Sequence, residues 1–244
     1  MKAMIFAAGR GDRMRPLTDT TPKPLLCAGG KPLIVWQIEQ LAAAGFERIV
    51  INHAWLGQQI EDTLGDGRRF GVRIDYSAES EALETAGGIA HARELLSGEG
   101  DIFLAVSGDI HTDYDYARLR RHAERLGERA EPGMHLVMVP NPPFHPEGDF
   151  ALCDGRLSLD PALASQRLTF GNIGLYDLRL FDAMAPGTRQ AMTPFYHASI
   201  AAGTASGECW RGAWDNIGTP AQLAALDRRL SAAGNPSPAA LELP

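Results

Sequence analysis

Along the first 140 positions, short unbroken apolar runs alternate with stretches whose apolar residues recur at helical spacing. "KAMIFA" is a run of the first kind, stops before a glycine, and predicts a buried strand. "PLIVWQIEQLAAAG" opens with Pro32, keeps apolar residues at helical spacing and ends at Gly45, the punctuation of a helix. The alternation continues with the strand "RIVIN", the helix "LGQQIEDTLG", the strand "VRIDYS" and the helix "TAGGIAHARELL". "DIFLAVSGD", the helix "DYARLRRHAERLG" and the strand "HLVMVP" complete it. Strand and helix in this rhythm predict right-handed βαβ units, hence an α/β fold. The expected architecture is Rossmann-like, with a mixed, mostly parallel sheet and helices on both faces.

After Pro140 the pattern changes. "NPPFHPEGDFALCDGRLSL" places an Asp-Gly turn between alternating runs, which predicts a hairpin. A strand "LTFGNIGLYDL", a helix "RQAMTPFYHASIAAG" and one or two strands in "SGECWRGAWDNIG" follow. In "TPAQLAALDRRLSAAG", Thr219 suits an N-cap and Pro220 the first helical position. With no repeat and no clear linker, one domain over residues 1–233 is expected. Its first part, to about 140, carries the strand–helix alternation, and the rest, about 141–233, adds β elements over the sheet's ligand edge. The proline-rich segment 234–244 reads as a flexible tail.

Composition narrows the function. Of 244 residues 45% are hydrophobic, which suits a soluble globular protein, and no apolar run approaches the length of a membrane span. The N-terminus lacks the form of a secretory signal, so a cytoplasmic protein with no membrane partner is expected. Cys27, Cys153 and Cys209 stand far apart and read as reduced thiols. A formal charge of -7 argues against nucleic acid as a partner. Locally the sign inverts: Arg10, Arg13, Arg15, Lys23 and Lys31 face only Asp12 and Asp19. A cationic island on an anionic chain points to a small anionic ligand.

That island lies in "AAGRGDRMRPLTDTTPKP", at the carboxyl end of the first strand, where open α/β sheets bind ligands. Gly9 and Gly11 supply G-x-G, but Met14 stands where a dinucleotide fingerprint needs its third glycine, which weakens an oxidoreductase reading. No GK-[ST] follows either, so this is not a Walker loop. Pro16, Pro22 and Pro24 prevent a long helix from starting here, so side chains must supply the positive charge. Arg13, Arg15 and Lys23 around backbone N–H groups would suit a triphosphate.

The stretch matches G-x-G-x-R-[ML]-x-P-[LM]-T followed by P-K-P and resembles the signature of the sugar-1-phosphate nucleotidylyltransferases. The similarity continues in "NHAWLGQQIEDTLGDG", "EALETAGGI", "SGDIHTDYD", "GDF", "LTFGNIGLY" and "GTPAQL". It implies the nucleotide-diphospho-sugar transferase type of fold and a Mg²⁺-dependent reaction: NTP and sugar 1-phosphate give NDP-sugar and pyrophosphate. The resemblance leans toward UTP and a muramate-type acceptor of cell-wall (peptidoglycan) recycling. Another NTP with a glucose- or mannose-type acceptor, or a non-catalytic nucleotide-sugar binding module, are the alternatives. By resemblance, Arg13 would hold the leaving pyrophosphate and Lys23 the α-phosphate, with Arg15 as helper. Ala7, Ala8, Gly9 and Gly11 would approach the nucleoside by backbone, and Glu79, Glu84 and Gly87 would frame its base.

Asp109, directly after the fourth strand, matches the family's metal-binding aspartate. For the second ligand the family carries W-x-D-x-G-T, whereas this chain reads "WDNIGT". Counting back from Gly218 the position is Asn216, with Asp215 one place earlier as the alternative. Neighbouring strand residues face opposite ways, so only one of them can reach the metal. Asp149, Thr169 and Asn172 are candidates for sugar contacts, His53 at the second strand end reads equally as a site residue or a packing group, and His111 reads as a capping or packing group. No lysine follows Lys31, so the family's second lysine is missing. Without the β-helix that some relatives add, a monomer or weak dimer is expected.

Overall fold

The computed structural model describes residues 1–98 and 100–232; the expected tail, 234–244, lies outside them. In chain order the strands are β1 (Ala3–Phe6), β2 (Cys27–Ala28), β3 (Lys31–Pro32), β4 (Arg48–His53), β5 (Arg73–Ala78), β6 (Ile102–Ser107) and β7 (Ile110–Thr112). β8 (Met134–Val139), β9 (Phe150–Cys153), β10 (Arg156–Ser158), β11 (Arg167–Asp177), β12 (Ala205–Cys209) and β13 (Trp214–Asn216) follow. The α-helices are α1 (Leu33–Ala43), α2 (Gly57–Leu64), α3 (Glu84–His91), α4 (Arg93–Leu96), α5 (Arg120–Gly127), α6 (Thr193–Ala201) and α7 (Pro220–Ala232).

Among the described residues the main sheet has the order β5-β4-β1-β6-β11-β8-β12-β10-β9. β5, β4, β1 and β6 run parallel. Period-two alternation in these strands sends side chains to two cores. Ile5, Ile49, Ile51, Leu104 and Val106 pack with Ile38 and Leu41 of α1 and Ile60 and Leu64 of α2. Met4, Val50, Phe103 and Ala105 pack with Ala86 and Ile89 of α3 and Leu96 of α4. Helices therefore cover both faces, as expected.

The expectation of a mostly parallel sheet needs correction. β11 runs antiparallel to both β6 and β8, and its first residues also pair with β9, Arg167 with Ala151 and Leu168 with Phe150. That pairing closes β11, β8, β12, β10 and β9 into a ring. The hairpin β9–β10 turns at Asp154 and Gly155, with φ of 48° and 75°, the left-handed pair that a tight hairpin requires. The 11 residues of β11 then reach from the parallel half to this hairpin. No helix of the described residues is long and apolar enough to cross a membrane.

Candidate active site

The segment after β1 folds as three single 3₁₀ turns, Asp12–Met14, Leu17–Asp19 and Lys23–Leu25, with no α-helix before Leu33. Gly11 adopts φ 73°, and a Cβ there would lie 3.1 Å from Lys23 Cβ and Thr18 Cγ2, so a side chain at this position would strain the closed loop. The Thr18 hydroxyl donates to the Gly11 carbonyl at 2.9 Å. Met14, which looked like a missing glycine, is fully buried with Leu26, Leu33, Ile217, Leu226 and Leu230. Its burial contributes about 1.5–3 kcal/mol, enough to pin the loop between α1 and α7. On the outer side Trp55 Nε1 donates to the Thr18 carbonyl at 3.0 Å, and the Arg10 guanidinium stacks 4.1 Å from the Trp55 ring.

Held this way, the loop forms one wall of a cavity of about 580 Å³ at the carboxyl ends of β1 and β6. Its lining includes Ala7, Ala8, Gly9, Gly11, Arg13, Lys23, Glu84 and Asp109, all candidates from the sequence. Lys23 Nζ pairs with Asp109 Oδ2, and both side chains are largely withdrawn from solvent. Arg13 has no ion pair or hydrogen bond among the described residues. Its guanidinium lies 3.5 Å from where a Cβ on Gly218 would sit. An uncompensated cation at the rim is what an incoming polyphosphate can use.

Three of the candidates for phosphate and nucleoside contacts are not brought to this cavity. Arg15 Nε pairs with Asp19 Oδ1 at 2.7 Å, and both side chains are about half exposed. Glu79 is buried behind the wall, accepting from Asn52 Nδ2 at 2.6 Å and from the Leu83 N–H at 2.8 Å. Asn52 in turn accepts from the Ala7 N–H at 3.1 Å and lines the cavity itself. Glu79 thus fixes Asn52, which fixes the backbone after β1. Gly87 faces the segment 188–190: its N–H donates to the Gln190 carbonyl at 3.0 Å, and a Cβ there would come within 2.4 Å of the Thr188 carbonyl oxygen. It is a packing glycine of α3.

Two further cavities, of about 310 and 550 Å³, continue the first. The smaller shares Phe6, Glu84, Thr85 and Ser107 with it. Asn172 lines both, and the larger also takes in Asp149, Thr169, Asn216 and, again, Arg13. Asn172 has φ 57° inside a register shift of β11 between Phe170 and Gly174, the bulge that turns this strand toward the cleft. Asp149 accepts from the Phe170 N–H at 2.7 Å and meets His145 Nε2 at 3.1 Å, while the Thr169 hydroxyl donates to Asn141 Oδ1 at 2.9 Å. Sequence reasoning missed Phe170, Thr193, Tyr196 and Trp214, which also line this end. Thr193 and Tyr196 come from α6, whose pattern carries no local chemical signal.

β13 pairs antiparallel with β7, Asn216 opposite Ile110, and the Ile217 N–H donates to the Asp109 carbonyl at 2.9 Å. The far wall is thereby tied to the residue after β6. Alternation separates the two candidate ligands. Asp215 makes a two-pronged pair with Arg229 and lies 3.9 Å from His111 Nδ1. Asn216 faces the cleft, and its amide makes no hydrogen bond among the described residues. Burial pushes the His111 imidazole below its usual value against the pull of Asp215, so it is neutral at pH 7. His53 is buried with Nε2 2.7 Å from Glu61 and serves packing.

Residues 2–143 match the family described as Nucleotidyl transferase. The chain belongs to this family. It is 48% identical over 224 residues to the N-acetylmuramate alpha-1-phosphate uridylyltransferase of Neisseria meningitidis serogroup B, covering 91% of this chain and 95% of that protein. The UTP--glucose-1-phosphate uridylyltransferase of Synechocystis sp. is 38% identical over 135 residues, 51% of this chain and 35% of that protein. HddC from Yersinia pseudotuberculosis, solved with GMP-PN, superposes with a TM-score of 0.75 at 17% identity, over 93% of this nucleotidyl transferase and 98% of HddC. A Bacillus anthracis protein solved with sucrose superposes with a TM-score of 0.81 at 20% identity, covering 94% and 95% of the two chains. At these identities the structural likeness speaks for the fold.

Proposed function

We propose that this sugar-1-phosphate nucleotidyltransferase moves a uridylyl group from UTP to N-acetylmuramate 1-phosphate, in a Mg²⁺-dependent reaction that serves cell-wall recycling in the cytoplasm. The observation that carries the chemistry is the Lys23–Asp109 pair on the wall of a cavity rimmed by the unpaired Arg13. The choice of UTP and of the muramate sugar rests on the 48% identity to the Neisseria protein. In this reading residues to about 140 handle the nucleotide and the remainder of one domain handles the sugar.

An ionised oxygen of the sugar 1-phosphate attacks the α-phosphorus of the NTP. The bond from that phosphorus to the bridging oxygen breaks, and pyrophosphate leaves with the electron pair. No proton has to move, so the protein's work is alignment and charge neutralisation. Lys23 addresses the α-phosphate and Arg13 the departing β- and γ-phosphates. The Ala7 and Ala8 backbone, held by Asn52 and Glu79, receives the nucleoside. Asp149, Thr169 and Asn172 line the acceptor end.

A carboxylate and a free amide oxygen, joined by the Ile217–Asp109 hydrogen bond, are the hard donors that Mg²⁺ accepts beside phosphate oxygens and water. The residues fit the ion: Asp109 and Asn216 would hold it, and when bound it supplies charge neutralisation on the phosphates. Pyrophosphate release over a panel of NTPs and sugar 1-phosphates, with and without Mg²⁺, tests the reading. Release confined to UTP with the muramate sugar and requiring Mg²⁺ is expected. Preference for another pair replaces the substrates, and no release with any pair leaves a binding module.

A further inference from the structure

Away from the cleft, three side chains with metal-binding chemistry converge on the face of the sheet covered by α5. His135 lies on β8, Glu208 on β12 and His122 on α5, and one ligand atom from each falls within 4.8 Å of the other two. None of them lines the cavities of the active site. The sheet register explains the meeting. β8 and β12 run parallel with His135 opposite Ser206, so Glu208, two residues on, shares that face. His122 arrives from above, its ring stacked on that of His135 with centroids 3.9 Å apart.

His135 is the unusual member. It is 3% exposed, its Nδ1 meets the Ser206 hydroxyl at 2.9 Å, and its buried Nε2 has no hydrogen-bond partner. A buried polar atom left without a partner is destabilising, so its persistence calls for a ligand. A histidine held by one nitrogen with the other free is the arrangement of a metal-bound imidazole with its supporting contact. Glu208 is positioned by Tyr114, whose hydroxyl donates to Oε1, while Oε2 stands 3.8 Å from His122 Nε2. The Arg118 guanidinium lies 3.9 Å from the same Oε2 and is the group a cation must outcompete.

We propose that His122, His135 and Glu208 form a second metal site, selective for a zinc-class divalent cation and distinct from the Mg²⁺ proposed for the cleft. Two imidazoles and one carboxylate suit zinc, cobalt or nickel, whereas Mg²⁺ prefers oxygen alone. Zinc bonds of about 2.0–2.2 Å place tetrahedral ligand atoms about 3.3 Å apart, so binding draws the three side chains together and turns the His122 ring out of its stack on His135 until the ion lies in both ring planes. His122 and Glu208 are partly exposed, which leaves an entry path and a fourth position for water. The bound ion ties α5 to β8 and β12 and so clamps the helix to the ring half of the sheet.

The full chain, stripped with a chelator and kept reduced in excess Mg²⁺, is titrated with Zn²⁺ by calorimetry and with Co²⁺ by visible absorption. One equivalent with a tetrahedral cobalt spectrum is expected. At a hundredfold excess over Kd, zinc raises Tm by about 5–10 °C. His122→Ala and Glu208→Gln each weaken binding at least about a hundredfold and abolish the Tm rise, and Ser206→Ala weakens it about 10–100-fold. His122 is on the surface of α5, so its variant folds even where a change at buried His135 does not. No cobalt spectrum in the native chain overturns the proposal. So does an unchanged spectrum in His122→Ala and Glu208→Gln, which would put the ion on the cysteines or in the cleft.

Discussion

The two ends of the cleft are built from different materials. At the β1 end, backbone and cations come from one contiguous stretch, Ala7 to Lys23, braced by Asn52. At the β11 end, Asp149, Asn172, Tyr196 and Asn216 come from four separate segments and present neutral or acidic groups. The difference follows from what each end would hold in the proposed reaction. A polyphosphate is recognised by charge and exposed N–H groups, which a short glycine-rich loop can supply alone. A sugar is recognised by shape and by many directed hydrogen bonds, which need rigid walls from several directions.

Breaking the first end should cost most. Lys23→Ala leaves Asp109 without its partner and, in the proposed reaction, removes the donor aimed at developing charge, so pyrophosphate release should fall by about a hundredfold or more. Near-normal turnover would show that the cationic loop is not where the chemistry occurs. At the junction of the two ends, Asn216→Ala should lower turnover about tenfold and raise the Mg²⁺ concentration needed for half-activation. Asp215→Ala, which releases only Arg229 and His111, should leave both close to native. The reverse result would move the ligand to Asp215 and mean that β13 is twisted by one residue.

A smaller effect separates binding from support. In Glu79→Gln one amide replaces two accepting oxygens, so either Asn52 or the Leu83 N–H loses its acceptor. Urea unfolding should show a loss of about 1–3 kcal/mol. If stability were unchanged and only UTP binding suffered, Glu79 would belong to the nucleotide surface after all.

The β1 end was legible because its signals are local. Gly9, Gly11, Arg13 and Lys23 fall within one short loop, and its prolines exclude a helix visibly. The βα alternation was legible for the same reason, each strand being an unbroken apolar run. The ring was not, because its closure depends on Arg167 and Leu168 finding Ala151 and Phe150, a pairing no single stretch announces. Glu79 and Gly87 lay in the right segments, but their roles were set by partners far away, Asn52 and residues 188–190. Strand alternation did separate Asn216 from Asp215 in advance, since it needs only neighbouring residues.

Arg15 marks the limit of composition as evidence. It belongs to the cationic island by sequence, yet its guanidinium is committed to Asp19 one turn on and lies outside all the cavities of the cleft. A half-exposed pair of this kind adds little, and beyond a Debye length of about 8 Å its field is screened at physiological salt. Arg15→Ala should therefore leave kcat/KM for UTP within about threefold of native at physiological salt, with a larger deficit appearing only at low ionic strength. A tenfold loss that persists at high salt would mean that Arg15 leaves Asp19 and joins Arg13 on the phosphates, and that the cationic end is wider than its resting shape.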